Sequence, residues 1–223
     1  MSPTNKLIEQ RQETRSSYNK LSRWYDLMAG GYESKYSMQG IKLLNPQPGD
    51  AILEVGFGTG HSFASLVQSV GGSGAVYGIE LSEGMIREAK SRVDKQGIDR
   101  SVNIVQGDVL EMPFKQAVFD GIFISFTLEI FGDDEIQNVL DRCKHCLRSD
   151  GKLCVVSMSK HGGNRVMQKA YEWSHRKFPK VVDCRPIHLK TVIQEAGYLI
   201  EKAEIFSLAG IGCEVVLASN NGN

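Results

Sequence analysis

The chain has no surplus of charge of either sign. Among its 223 residues, 26 are Lys or Arg and 26 are Asp or Glu. A phosphate backbone is held by a field of cations that releases its counterions. No such field exists here, so nucleic acid is not expected as substrate or partner. Long apolar runs are missing as well. A helix that crosses a bilayer needs about 18 of them in a row, and none is present. The first residues, Met1 to Gln12, are polar and lack the apolar core of a secretion signal. A cytoplasmic protein is expected. Cysteine is sparse and scattered, at Cys143, Cys146, Cys154, Cys184 and Cys213. An odd number at irregular spacing excludes a disulfide framework. Cys143 and Cys146 form a CxxC, but it falls inside an amphipathic helical pattern, begins no helix and has no second pair. It reads as free thiols, and no metal site is expected.

What the chain does have is a regular alternation of apolar runs and helical patterns. Residues 1 to about 40 read as helical, interleaved with Tyr18, Trp24, Tyr25, Tyr32 and Tyr36, and broken at Gly30-Gly31. A turn cluster over 45–50 closes this lead-in. Strands are then expected at 51–55, 75–79, 102–106, 119–126, 152–158, 199–208 and 213–218. Helices are expected at 62–70, 82–96, 133–147 and 188–196. Ser82 suits an N-cap and Gly97 a helix end. Asp133, Asp134 and Glu135 complement the dipole at a helix start. Ser149-Asp150-Gly151 reads as a turn. The fourth run is apolar on both faces, as befits a central strand. This pattern predicts an α/β fold, a Rossmann-like doubly wound seven-stranded sheet, mostly parallel, with a C-terminal antiparallel hairpin strand. Right-handed crossovers bring the turns at 56–60, 80–85, 107–114 and 126–131 to one edge of the sheet. Ligands bind there in such folds.

The first strand runs into Glu54-x-Gly56-x-Gly58-x-Gly60. The dinucleotide fingerprint is G-x-G-x-x-G, whose turn feeds a diphosphate to a helix N-terminus. Here the third glycine comes one residue early and an acid precedes the first. A carboxylate at Glu54 repels a diphosphate and suits an ammonium group. Glu80, at the end of the second run, is placed to accept from two ribose hydroxyls. Asp108, after the third run, is placed to accept from an adenine amino group, and the amide of Val109 to donate to a ring nitrogen. Met85 suits the face of an aromatic ring, or equally a core face with Ile86 and Ala89. An ammonium, a ribose and an adenine without a diphosphate describe S-adenosylmethionine.

The motifs Leu53-Glu54-Val55-Gly56-Phe57-Gly58-Thr59-Gly60, Gly78-Ile79-Glu80-Leu81-Ser82-x-x-Met85, Gly107-Asp108-Val109-Leu110-x-Met112-Pro113-Phe114 and Phe119-Asp120-x-Ile122 resemble those of class I S-adenosylmethionine-dependent methyltransferases. The resemblance covers about residues 24–157. Within the class, Gly-Asp-x-x-x-x-Pro-Phe and Tyr25-Asp26 resemble the ubiquinone/menaquinone-biosynthesis C-methyltransferase branch and its phospholipid and small-molecule relatives. The longer C-terminal pattern of the quinone enzymes is missing, and Glu80 stands where an aspartate is usual. The resemblance implies that Glu54, Gly56 and Gly58 line the methionine end. It implies that Glu80 holds the ribose and that Asp108 meets the adenine; Gly60, Leu81, Met85 and Val109 are expected to bind the cofactor beside them. Ser125, with Phe126 and Thr127, then lies where the methyl group meets its acceptor. Tyr25 lies on an N-terminal helical lid, 1–45, over a catalytic domain, 46–223, with 159–187 as a substrate-cover insert.

Transfer from a sulfonium is an in-line displacement and needs a base only if the acceptor enters protonated. His161, after the fifth strand, is the first choice as base. His188, His175, Tyr36 and Glu129 are weaker ones. The insert mixes Val166, Ala170 and Trp173 on one face with cations elsewhere. It reads as a helix packed on the domain, with at most peripheral membrane contact. A small-molecule or lipid-like acceptor and a monomer or homodimer are expected. Two other readings stay open: an NAD-dependent oxidoreductase, and a non-catalytic cofactor-binding module.

Overall fold

The computed structural model describes residues 30–95, 97, 102–164, 185–208 and 210–220. Tyr25 and His175, and most of the insert, lie outside them. Helix α1 spans Gly30–Leu44, β1 Ala51–Val55, α2 His61–Val70, β2 Ala75–Glu80, α3 Glu83–Asp94 and β3 Val102–Gln106. Then follow β4 Phe119–Ser125, α4 Asp133–Cys146, β5 Leu147–Ser159, α5 Leu189–Glu195, β6 Tyr198–Leu208 and β7 Ile211–Asn220. The strands form one seven-stranded sheet in the order β3-β2-β1-β4-β5-β7-β6. The first five are parallel, and β7 is antiparallel to both β5 and β6. The doubly wound sheet and the final hairpin are as the sequence pattern predicted.

Side chains alternate across the strands and divide the core into two layers. Ile52, Phe123 and Val156 face Phe63, Leu66 and Val67 of α2, together with Ile41 and Leu44 of α1. Leu53, Val55, Ile122, Ile124 and Leu153 face Ile136 and Leu140 of α4 and Ile193 of α5. The central β4 buries Ile122, Phe123 and Ile124 completely. Glu54 falls between Leu53 and Val55 and so turns to the α2 side.

Helix α1 belongs to the body of the domain. It packs on β4, β5 and β7. The Tyr36 hydroxyl donates to the Ser207 carbonyl of β6 at 3.0 Å, and its ring lies 5.2 Å from that of Phe206. A Cβ on Gly40 would stand 2.6 Å from Val156 Cγ2 and 2.8 Å from the Phe123 ring. The glycine is what lets the helix come this close.

One local expectation is corrected. The residues 149–151 read as a turn, but they lie within β5. Phe119 pairs with Leu147 and Gly121 with Lys152, so β5 takes five steps where β4 takes two. The excess is a bulge, and turn-forming Ser149, Asp150 and Gly151 populate it. Among the described residues no helix is long and apolar enough to cross a membrane.

Candidate active site

The carboxyl ends of β1, β2, β3 and β4 meet at one edge because these strands are parallel neighbours. Glu54 sits there, 1% exposed. The Ser62 hydroxyl, in the first turn of α2, donates to its Oε1. Its Oε2 is buried and has no hydrogen-bond partner. A carboxylate in that position is poorly solvated. Burial pushes the Glu54 carboxyl up to about 8, against the opposing Ser62 bond and with added repulsion from Glu80.

Glu80 ends β2 and is half-buried. Its Oε1 accepts from the Ser82 amide at 2.8 Å and its Oε2 from the Gly58 amide at 3.1 Å. Burial raises its pKa, and the amides of Ser82, Gly58 and Leu81 pull it back. Each carboxylate oxygen has two acceptor sites, so both keep capacity for a hydroxyl. Gly58 stands at φ +54° with nothing within 4 Å of where a Cβ would be. That backbone favours glycine, and its bare face opens on the edge of the sheet. Gly60 abuts Ala89 of α3, and Arg92 Nε of α3 donates to the Thr59 carbonyl at 3.0 Å. The turn is thus pinned from behind.

Asp108 Oδ1 accepts from the Leu110 amide at 2.9 Å and caps the single helical turn Val109–Glu111. Val109 is buried beside it. Met85 is buried on α3 with Ile86 and Ala89, and its amide donates to Ser82 Oγ at 3.3 Å. Ser82 is therefore the N-cap expected of it.

The segment after β4 is clamped from three sides. Ser125 Oγ lies 2.7 Å from Ser37 Oγ of α1. Thr127 Oγ1 reaches the carbonyls of Gly56 at 3.1 Å and Ser125 at 3.0 Å. The Phe126 amide donates to the Val156 carbonyl at 2.8 Å. Phe126 stands at φ +49°, a left-handed conformation that costs a bulky residue about 1–3 kcal/mol. Strain of this kind gathers where a site over-determines its backbone.

His161 is exposed in the loop after β5. Its Nε2 lies 3.3 Å from Nδ1 of His188. Its amide donates to Ser159 Oγ, whose hydroxyl donates to the buried Glu214 at 3.0 Å. The segment bearing His188 is fastened across the same edge. Ile187 bridges to Ser159, and Arg185 Nη2 donates to Asp133 Oδ1 at 2.7 Å and to the Phe131 carbonyl at 3.1 Å. The other candidate bases have structural duties. Tyr36 donates to β6, and buried Glu129 accepts from the Met158 amide at 3.0 Å.

Sequence reasoning overlooked Ser62. A hydroxyl eight residues after Glu54, in the first turn of the helix that follows, was a legible signal. The Ser37–Ser125 contact had none, because 88 residues separate its partners. Cys143 and Cys146 are buried in α4, and burial raises both thiols.

The donor set fits a cationic, ribose-bearing ligand. An orphaned acceptor at Glu54 calls for a donor, and an ammonium supplies it; a diphosphate does not. Known proteins are similar to this chain in sequence and in fold. A family model described as a methyltransferase domain matches residues 52–151. A demethylmenaquinone methyltransferase of Lactobacillus johnsonii is 27% identical over 183 residues, 80% of this chain and 73% of that one. A ubiquinone/menaquinone biosynthesis C-methyltransferase of Teredinibacter turnerae is 29% identical over 147 residues, 66% of this chain. The chain spans 58% of that relative's length. The crystal structure of a SAM-dependent methyltransferase from Aquifex aeolicus shares the fold, with a TM-score of 0.65 at 20% identity, over 92% of this chain and 97% of that one. The strand order, the glycine turn between two acids and these matches make the chain similar to the class I S-adenosylmethionine-dependent methyltransferases, with a methyltransferase-domain match over residues 52–151.

Proposed function

We propose that the protein transfers a methyl group from S-adenosylmethionine to a small, quinone-like or lipid-like acceptor by in-line displacement. The observation that carries this is the buried, unpartnered Oε2 of Glu54 beside the open face of Gly58. Gly56 and Gly60 shape the turn around it. When bound, S-adenosylmethionine supplies an electrophilic methyl on a sulfonium. The chain itself binds, orients and excludes water. Glu54 takes the ammonium, Glu80 and Leu81 the ribose, and Met85, Asp108 and Val109 the adenine. Asp108 serves the adenine while capping its own turn. Ser125 and the clamped segment after it wall the transfer point, and Phe126 keeps water out. His161, steadied by His188, accepts a proton where the acceptor enters as a hydroxyl or an acidic carbon.

The quinone-like class follows the quinone-biosynthesis methyltransferases to which the chain is similar. Residues 1–45, with Tyr25, act as a lid through their N-terminal part, because 30–44 is committed to the sheet. Residues 159–187 cover the acceptor, with at most peripheral membrane contact. Calorimetry with S-adenosylhomocysteine and with NAD tests the cofactor. Binding of NAD alone would sink the reading. Incubation with radiolabelled donor and a panel of demethylated quinols, read by mass spectrometry, tests the acceptor. Methyl transfer to none of the panel would remove the quinone class.

A further inference from the structure

We propose that Glu54 carries a proton in the ligand-free protein and surrenders it when the ammonium of the methyl donor arrives, so that donor capture exchanges a proton for an ammonium. The inference rests on the cofactor reading above and adds a linkage to it. Its ground is the arrangement around one carboxyl. Glu54 is 1% exposed. One neighbour donates to it, the hydroxyl of Ser62 on Oε1, and Oε2 receives nothing.

No described neighbour supplies a compensating cation. On β2, Glu54 pairs with Gly78, and the charged residue of that strand is Glu80, another acid. On β4 it pairs with Phe123, and the only charged residue of that strand, Asp120, accepts from Arg148 and the Ala51 amide at the opposite end. On α2 the one titratable residue is His61, which is exposed. Lys35 and Lys42 of α1 are exposed. Arg92 of α3 is turned to the Thr59 carbonyl. After β4 comes Glu129, an acid held on the Met158 amide.

Glu54 and Glu80 differ in a way that sorts their charges. Glu80 accepts two backbone amides, which favour its ionised form. Glu54 has a single hydroxyl. Of two neighbouring carboxyls, the less solvated one keeps the proton. The raised pKa of Glu54 agrees in direction. A neutral carboxyl is a poor partner for an ammonium, and an ionised one next to an ammonium is well compensated. The balance is simple: a carboxylic acid and an alkylammonium become a carboxylate–ammonium pair, and one proton leaves to solvent. No covalent bond other than that O–H changes.

The test is calorimetry with S-adenosylhomocysteine, which keeps the ammonium, near pH 7 in two buffers of different ionisation enthalpy. Release of about one proton per site is expected. Affinity should rise up to about tenfold per pH unit between roughly pH 6 and 7.5. The same measurement with 5′-methylthioadenosine, which lacks the amino-acid head, should release none. Glu54→Gln should bind more weakly, with no buffer dependence and a flat pH profile. Ser62→Ala keeps the acid and removes the bond that favours its ionised form, so proton release should persist to higher pH. Wild-type binding of S-adenosylhomocysteine without proton release overturns the linkage and leaves the cofactor reading standing. Failure to bind S-adenosylhomocysteine at all overturns the cofactor reading instead.

Discussion

Glu80 shows how one side chain serves two purposes. Its oxygens accept the amides of Ser82 and Gly58, so it holds the glycine turn in shape before any ligand is present. In the proposed site, the remaining lone pairs would take ribose hydroxyls. Glu80→Ala therefore loses both contributions. S-adenosylhomocysteine binding should weaken by about 1–3 kcal/mol, the range for leaving buried polar partners unpaired. Calorimetry on the folded variant checks this, and unchanged affinity would remove Glu80 from the site. Both acids were legible in the sequence, because their spacing from the glycines is a chain-local property. Ser37 was not, because its value lies in a contact with Ser125 that only the packing of α1 creates.

At the scale of elements, apolar periodicity was enough to find every strand of the sheet and the helices between them. It failed where turn chemistry and sheet pairing compete. Ser149-Asp150-Gly151 has the composition of a turn, but Leu147 pairs with Phe119 and Lys152 with Gly121. Pairing on both sides draws the three residues into β5 as a bulge. The placement of α1 was equally illegible, since nothing in a polar helix announces a glycine contact with Val156 and Phe123. That contact can be tested. Alanine improves helix propensity over glycine by about 1 kcal/mol. At Gly40, however, the new Cβ meets Val156 Cγ2 at 2.6 Å and the fully buried Phe123 ring at 2.8 Å. Overpacking of this kind costs about 1–3 kcal/mol and outweighs the gain. Gly40→Ala should lower the urea midpoint. A raised midpoint would mean that α1 does not lie against the sheet as described.

For the whole molecule, the unpartnered acid at Glu54 works against stability, and in the proposed site it would prepare binding. Its carboxyl titrates near 4.5 when unfolded and at about 8 in the folded protein. The sign follows from proton counts. Below the unfolded value both states hold the proton and the group changes nothing. Between the two values the unfolded chain has lost it and the folded protein keeps it, so stability falls as pH rises. At roughly 1.4 kcal/mol per pH unit, the loss between pH 4.5 and 8 amounts to a few kcal/mol, a large share of the ~5–15 kcal/mol that holds a domain folded. Glu54→Gln removes this titration with little change of shape. The ligand-free variant should be more stable than the wild type near pH 8, and the gap should close towards roughly pH 5 as both forms become neutral. Urea midpoints across that range decide the matter: a gap that does not vary with pH would deny Glu54 its buried proton. Saturating S-adenosylhomocysteine should then reverse the order at pH 8, because a ligand stabilises the fold by an amount that grows with the logarithm of its affinity, and in the proposed site the wild-type carboxylate would bind the ammonium better than the amide does. A reversal ties the instability of the empty site to its affinity when filled.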